Sequence, residues 1–76
     1  MDKELAADLR EQLFEALVAR RRELGMSQLE VAKAMGTTQS HISMMEGGGR
    51  DVTVGTVFLY LRAVKLKMQL AFDYED

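Results

Sequence analysis

The sequence predicts an all-α domain of four to five helices, followed by a single C-terminal β-strand. Three observations support this fold class. Apolar residues recur at steps of three and four along most of the 76 residues, which is the period of an amphipathic helix. Glycine separates these stretches, because the chain contains six glycines and no proline. From residue 67 onwards the pattern changes to alternation, which is typical of a strand.

The first predicted helix runs from Asp2 to Leu24. Acidic residues cluster in its first half and Arg20 to Arg22 in its last turns, which is the polarity that the helix dipole favours. Gly25 then suits the left-handed position after a helix. The predicted apolar face of this helix consists of Leu5, Leu9, Leu13, Phe14, Leu17, Val18 and Leu24.

The second and third predicted helices are short and lie close together. Ser27 and Glu30 have the spacing of a capping box, so a helix begins there and runs to about Met35, with Gly36 as its end. Thr38 is a good N-cap for the next helix, which covers residues 39–46. Two short helices joined by about three residues that include glycine are typical of a helix-turn-helix unit.

A fourth helix is predicted from about Val54 to Val64, with Thr53 as its N-cap. It follows a loop that contains three consecutive glycines, Gly47 to Gly49. Its predicted apolar face consists of Val54, Val57, Phe58, Leu61 and Val64.

The C-terminal segment carries Met68, Leu70 and Phe72 at alternate positions. A lone strand leaves its backbone N–H and C=O groups unpaired, and the sequence predicts no second strand to pair with it. We therefore expect these residues to pair with the same strand of a second copy around a two-fold axis. On this prediction residues 1–66 form the helical domain and residues 67–76 a dimerisation strand.

Composition excludes several classes of protein. The chain has no cysteine and a single histidine, so the composition predicts neither a disulfide framework nor a metal site. No cofactor and no catalytic constellation is expected. No apolar run reaches the roughly 20 residues that cross a bilayer, and the N-terminus lacks a secretory signal, so we expect a cytoplasmic protein without membrane contact.

The net charge of −2 is unevenly distributed along the chain. The segment from Arg20 to Lys67 contains eight basic and four acidic residues, whereas the two ends together contain two basic and eight acidic residues. A locally basic middle can neutralise phosphates, although non-specific binding to DNA should be weak because it depends on charge.

The stretch from Arg21 to Val64 resembles the helix-turn-helix domain shared by lambdoid phage repressors, Cro proteins and the xenobiotic-response-element (XRE) type of regulators. The C-terminal segment is similar to the strand through which HipB-like antitoxins pair. The resemblance implies a lambda-repressor-like bundle that works as a homodimer on double-stranded DNA. The matching residues are Arg21, Leu24 to Ala32, Met35 to Ser40, Ile42, Ser43, Glu46 and Gly47.

In such proteins the third helix enters the major groove and its N-terminal residues face the base edges. The implied base-contacting residues are Gln39, Ser40, Ser43 and Met44. A glutamine amide can accept from N6 and donate to N7 of adenine, and Met44 could meet a thymine methyl group. For Gln39 and Ser40 the alternative is that they are only polar residues in the first turn of an exposed helix.

The candidates for contact with the DNA backbone are Gln28, Thr38, Lys33, His41 and Arg50. The resemblance implies that Gln28 also braces Gln39. Arg50 follows the flexible glycines and could bind a phosphate with two parallel hydrogen bonds. For Lys33 and His41 the alternative is a solvated or partly packed side chain. The resemblance further implies a structural ion pair between Arg21 and Glu46.

Together these features predict a dimeric repressor that reads a palindromic operator. One form of this function is an antitoxin that represses its own operon and also binds a toxin protein. The alternative from another class is a protein-interaction module or toxin-neutralising antitoxin that keeps the fold with little DNA binding, which the acidic net charge favours. We do not expect an enzyme.

Overall fold

The computed structural model describes the backbone of residues 3–48 and 52–75. Four helices follow one another in these residues. Each helix begins and ends within one residue of its predicted boundaries. They are α1 (Lys3–Glu23), α2 (Gln28–Met35), α3 (Gln39–Glu46) and α4 (Val54–Ala63). The predicted all-α class and the order of the helices are therefore confirmed.

The predicted N-caps form in the structure. Ser27 has extended backbone and its hydroxyl accepts from the N–H of Glu30 at 3.0 Å, while the Glu30 carboxylate accepts from the N–H of Ser27 at 2.9 Å. Thr38 and Thr53 cap α3 and α4 in the same way, each through its hydroxyl. These bonds satisfy N–H groups that have no partner inside a helix, so they determine where each helix begins.

Two glycines end the first two helices. Gly25 and Gly36 have φ angles of 69° and 75°, a left-handed conformation that residues with a Cβ adopt only at a cost. After α2, the N–H of Thr37 donates to the carbonyl of Ala32 at 2.9 Å and closes the helix end. The turn from α2 to α3 is therefore short and well defined.

One hydrophobic core holds the helices together. α2 packs against α3 and α4, and α1 packs against α3. The buried apolar residues are Phe14, Leu17, Val31, Ala32, Ile42, Met45, Val57, Tyr60, Leu61 and Val64.

The predicted apolar face of α1 is only partly correct. Leu17 is fully buried and Leu13 is half-buried, but Leu9 and Leu24 are 52% and 39% exposed; the side chain of Leu5 lies outside the described part of the structure. α1 has 21 residues and is about 31 Å long at the usual rise, whereas its partners have eight to ten residues. The first half of α1 therefore extends beyond them, and residues 7–12 are exposed.

The predicted face of α4 also needs correction. Val57, Leu61 and Val64 belong to the core as expected, but Val54 is 87% and Phe58 is 56% exposed. Tyr60, which the sequence pattern did not select, is fully buried. The buried face of α4 is therefore rotated towards Tyr60 and away from Phe58.

The C-terminal segment forms neither helix nor strand over residues 67–75. Met68, Leu70 and Phe72 are 43%, 70% and 88% exposed, so the single chain does not cover the residues predicted to form the dimerisation strand. In the described part of the chain, no helix combines the length and apolar character needed to cross a bilayer.

Candidate nucleic-acid interface

The exposed face of α3 carries the residues predicted to contact bases. Gln39, Ser40, Ser43 and Met44 are all exposed, and together with the half-buried Gln28 of α2 they line one shallow cavity of about 490 Å³. The capped start of α3 and the short turn after α2 hold this face in a fixed orientation. The structure therefore brings the four α3 side chains and Gln28 together on one surface.

The side chains of this surface are suited to hydrogen bonding rather than to charge pairing. None of the side chains that line the cavity is ionised at neutral pH, and α3 has no acidic residue in its first turn. Amide and hydroxyl groups can both donate and accept, which suits the mixed donors and acceptors on base edges. The free N–H groups at the start of α3 add a preference for anions.

The residues predicted to contact the DNA backbone are more scattered. Thr38 caps α3, and its hydroxyl accepts from the N–H of His41 at 3.2 Å. The half-buried His41 shares a hydrogen bond with the hydroxyl of Thr37, 2.9 Å from Nδ1. Lys33 is exposed in the last turn of α2. Arg50 lies outside the described residues.

Gln28 differs from the expectation. Its side chain was predicted to brace Gln39, but Nε2 of Gln28 donates instead to Oε1 of Glu46 at 3.1 Å. Glu46 closes α3, so this bond joins the first residue of α2 to the last residue of α3. Gln28 and Gln39 share the cavity without the predicted bond between them.

Glu46 is the centre of a hydrogen-bond network beneath the interface. Nε and Nη2 of Arg21 donate to its two carboxylate oxygens, each at 2.8 Å. The hydroxyl of Tyr60 donates at 2.6 Å, and Gln28 supplies the fourth bond. The side chains of Arg21 and Glu46 are only 10% and 8% exposed, so the pair ties α1 to the end of α3 in a water-poor setting.

The network shifts the pKa values of its members. Burial opposes ionisation of Glu46, but the hydrogen bonds from Arg21, Tyr60 and Gln28 outweigh it and hold the pKa of the carboxyl below its ordinary value. The hydrogen bond to Glu46 raises the pKa of Arg21. Burial, reinforced by the neighbouring carboxylate, raises the pKa of Tyr60. Glu46 is therefore a carboxylate, and Tyr60 a neutral donor, at neutral pH.

The sequence reasoning missed two parts of this network, namely Tyr60 and the bond from Gln28 to Glu46. One signal was available for Tyr60, because it lies three residues after Val57 and four before Val64, within the helical period of the core positions. A buried tyrosine hydroxyl needs a partner, which would have pointed to a nearby acceptor. Its edge-on contact with Phe14, with ring centroids 6.5 Å apart, completes the packing.

Comparison with known proteins agrees with this geometry. A family model described as helix-turn-helix matches residues 17–70, well over half of the chain. Two curated relatives, both called antitoxin HigA1, come from the CDC 1551 and H37Rv strains of Mycobacterium tuberculosis. Each is 36% identical over 61 residues, which cover 80% of this chain and 41% of the relative.

The chain thus spans about two-fifths of the length of these relatives. No solved structure matches it significantly. The matched segment contains α2, the glycine turn, α3 and α4, together with both ends of the Arg21–Glu46 pair. The chain therefore belongs to the XRE-type helix-turn-helix family.

Proposed function

We propose that the protein is a sequence-specific regulator of transcription that binds double-stranded DNA, and that it acts as a dimeric repressor. The observation that carries this proposal is the exposed, uncharged face of α3, where Gln39, Ser40, Ser43 and Met44 share one cavity. A helix of eight residues with such a face fits the major groove, where each base pair presents its own pattern of donors and acceptors.

In the proposed complex Gln39 reads adenine through both atoms of its amide, and the serines adapt to either donors or acceptors. The residues proposed to meet phosphates on either side of the groove are Gln28, Thr38, Lys33, His41 and Arg50. The basic residues between Arg20 and Lys67 supply the charge that attracts the DNA. Membership of the helix-turn-helix family supports this arrangement.

The proposed dimer forms through the C-terminal segment. Met68, Leu70 and Phe72 are exposed in the single chain, and pairing residues 67–76 of two copies would cover them and satisfy their backbone groups. A two-fold dimer would read a palindrome with half-sites about 34–36 Å apart. Such a dimer, bound across a promoter, would repress by blocking access to it.

A second function is supported by the relatives. Because two relatives are called antitoxins, we propose that this chain also binds a toxin protein and represses its own operon as an antitoxin. The exposed first half of α1, with residues 7–12 uncovered, is a candidate surface for the toxin. The rival function is a binding module that neutralises a toxin with little affinity for DNA.

Selection from random DNA duplexes at moderate salt separates these functions. We expect enrichment of a palindrome, and the mass of the selected complex should correspond to two protein chains on one duplex. If no sequence is enriched, the operator-binding function is wrong and the toxin-binding module becomes the better description. Pull-down with the product of an adjacent gene would then test that module directly.

Replacing Gln39 with alanine tests the base contacts on the selected operator. We expect the binding free energy to weaken by about 1–3 kcal/mol through one base position, because the amide reads that base. The protein should then discriminate less between bases at that position. Gln12→Ala is the matched control, since Gln12 is exposed on α1, away from the α3 cavity. Equal effects of the two substitutions in a binding titration would exclude base contact by Gln39.

A further inference from the structure

The orientation of the Gln28 amide is determined by its neighbour. Its Nε2 lies 3.1 Å from Oε1 of Glu46, and a carboxylate can only accept hydrogen bonds. The amide nitrogen, and not the amide oxygen, must therefore face Glu46. A rotated amide would bring two oxygen atoms together in a poorly solvated position, because the Glu46 side chain is only 8% exposed.

Glu46 is itself held in place independently of Gln28. Arg21 binds both of its oxygens at 2.8 Å, and Tyr60 donates to Oε2 at 2.6 Å. In the described part of the chain no buried side-chain nitrogen or oxygen lacks a hydrogen-bond partner, so the network is complete. The bond from Gln28 to Glu46 also affects the other end of the Gln28 amide, which is its carbonyl oxygen.

The amide oxygen of Gln28 is not the atom that faces Glu46, and the same side chain lines the cavity with Gln39 and Ser40. We infer that Glu46 is a positioning residue for DNA recognition: it holds the Gln28 amide so that its carbonyl oxygen is offered to the cavity as an acceptor. This inference rests on the proposed binding of DNA. On this inference Gln28 contributes to base selection, whereas contact with a phosphate alone would carry no sequence information.

The ligand group follows from the chemistry of the major groove. An acceptor in the groove can bind only a donor, and the donors on base edges there are the amino groups on N6 of adenine and N4 of cytosine. A phosphate oxygen is an acceptor, so it cannot pair with the Gln28 carbonyl and could bind only the second N–H of Nε2. We therefore expect one operator position at which adenine or cytosine is preferred over guanine or thymine because of Gln28 and Glu46.

The first test compares the wild type with Glu46→Gln on the selected operator, with each base placed in turn at every position. An amide at residue 46 can donate as well as accept, so Gln28 is free to rotate. We expect the preference for amino-bearing bases at one position to fall about five- to tenfold, the usual worth of one hydrogen bond. An unchanged base preference in a folded Glu46→Gln protein would overturn the inference.

Tyr60→Phe is the matched control. It removes another donor to the same carboxylate but leaves the bond from Gln28, and Arg21 still binds both oxygens. We expect lower thermal stability with the base preference of the wild type. If Tyr60→Phe reduces the base preference as much as Glu46→Gln does, Glu46 acts only through the stability of the fold and the inference is wrong.

A second measurement covers the case in which Glu46→Gln does not fold. In the wild-type protein, one Nε2 proton of Gln28 should exchange with water about tenfold more slowly than those of the exposed Gln12, because it is hydrogen-bonded. Side-chain amide NMR measures both rates. Equal rates mean that the amide is free, which overturns the inference even if an operator is found.

Gln28→Met completes the experiment, because it removes the amide while keeping the length of the side chain. We expect the same loss of base preference as in Glu46→Gln, and no further loss in the double variant, since both act on one contact. If an operator exists and Gln28→Met keeps the base preference, the inference fails while the proposed function stands. If no operator is enriched at all, both fail, and the NMR measurement reports only on the amide.

Discussion

A single carboxylate, Glu46, connects the core of this protein to its candidate interface. It accepts hydrogen bonds from Arg21, Tyr60 and Gln28, which belong to α1, α4 and α2. Breaking a buried pair costs more than the pair contributes, because the partner is left charged and unsatisfied. Substitutions at Glu46 or Arg21 should therefore reduce stability as well as binding, so the contribution of the network to stability is better measured at Tyr60.

Replacing Tyr60 with phenylalanine should lower the free energy of unfolding by about 1.5–3 kcal/mol, because it removes a hydrogen bond to a charged acceptor. Urea denaturation followed by circular dichroism measures the change. Tyr74→Phe is the control, since Tyr74 is fully exposed, and we expect a change of less than about 0.5 kcal/mol there. Equal values for the two variants would mean that the hydroxyl of Tyr60 contributes nothing to stability.

The shifted pKa values predict how stability depends on pH. The pKa of Glu46 is lowered in the folded chain, so its contribution is present above its ordinary value of 4.5 and is lost as the pH falls through the folded value. The pKa of Tyr60 is raised, so its contribution is present below its ordinary value of 10.0 and is lost as the pH rises above that value. Unfolding free energies should therefore fall at both extremes.

Tyr60→Phe separates the two limbs of this pH profile. The variant should lose most of the decline above pH 10.0 and keep a decline below pH 4.5, because Arg21 and Gln28 still lower the pKa of Glu46. Urea midpoints measured across the pH range give the comparison. A variant with the same alkaline decline as the wild type would show that another group causes it.

At the scale of the helices, local chemistry determines where each one begins and ends. The threonine and serine caps, and the glycines that end α1 and α2, are local features, so the sequence predicted them correctly. The end of α4 differs, because Lys65 has a φ angle of 54° where a glycine would be expected. α4 nevertheless ends like α2, because the N–H of Leu66 donates to the carbonyl of Leu61 at 2.9 Å.

These helix ends predict opposite effects of two substitutions. Gly36→Ala should cost about 1 kcal/mol, because φ is 75° there while no atom lies within 4 Å of the added Cβ, so the cost comes from the backbone alone. Lys65→Gly should stabilise the protein by roughly 0.5 kcal/mol, because glycine relieves the left-handed strain at some cost in entropy. Thermal denaturation measures both changes.

Ala34→Gly is the control for Lys65→Gly. Ala34 is exposed inside α2, where glycine should cost about 1 kcal/mol because it gains freedom in the unfolded chain. Whether a glycine substitution raises or lowers the stability should therefore depend on the backbone conformation at each position. A loss of stability at Lys65 as large as at Ala34 would contradict this account of the end of α4.

At the scale of the whole molecule, the C-terminal segment decides the proposed assembly. Deleting residues 67–76 should yield monomers, because the proposed strand pairing is removed. Operator affinity should fall at least about 100-fold, since two linked half-sites bind more tightly than one. Sedimentation equilibrium and operator titration measure the two effects. A truncated chain that still sediments as a dimer would exclude pairing through this segment.

A point-substitution series tests the same interface without truncation. Serine at Met68, Leu70 and Phe72 should break the dimer, because these alternate residues form the apolar face of the proposed strand. Serine at the intervening Gln69 and Ala71 is the matched control and should leave the dimer intact. If both sets have the same effect on sedimentation, dimerisation does not depend on one face of a strand.

The features that could be predicted without a structure are those that depend on neighbours in the chain. Capping boxes, glycine turns and the helical period act within a few residues, so the four helices, their ends and the residues on the face of α3 could be predicted. The period alone could not choose between Phe58 and Tyr60. Phe58 lies four residues after Val54 and three before Leu61, whereas Tyr60 lies three residues after Val57 and four before Val64.

The packing of the helices determines which of these two residues is buried and which partner Gln28 binds. Tyr60 turns inward because Phe14 and Glu46, which are 46 and 14 residues away along the chain, meet its ring and its hydroxyl. Gln28 turns towards Glu46, 18 residues away, rather than towards Gln39. Such contacts depend on how helices pack against one another, and no pattern within a single helix specifies them.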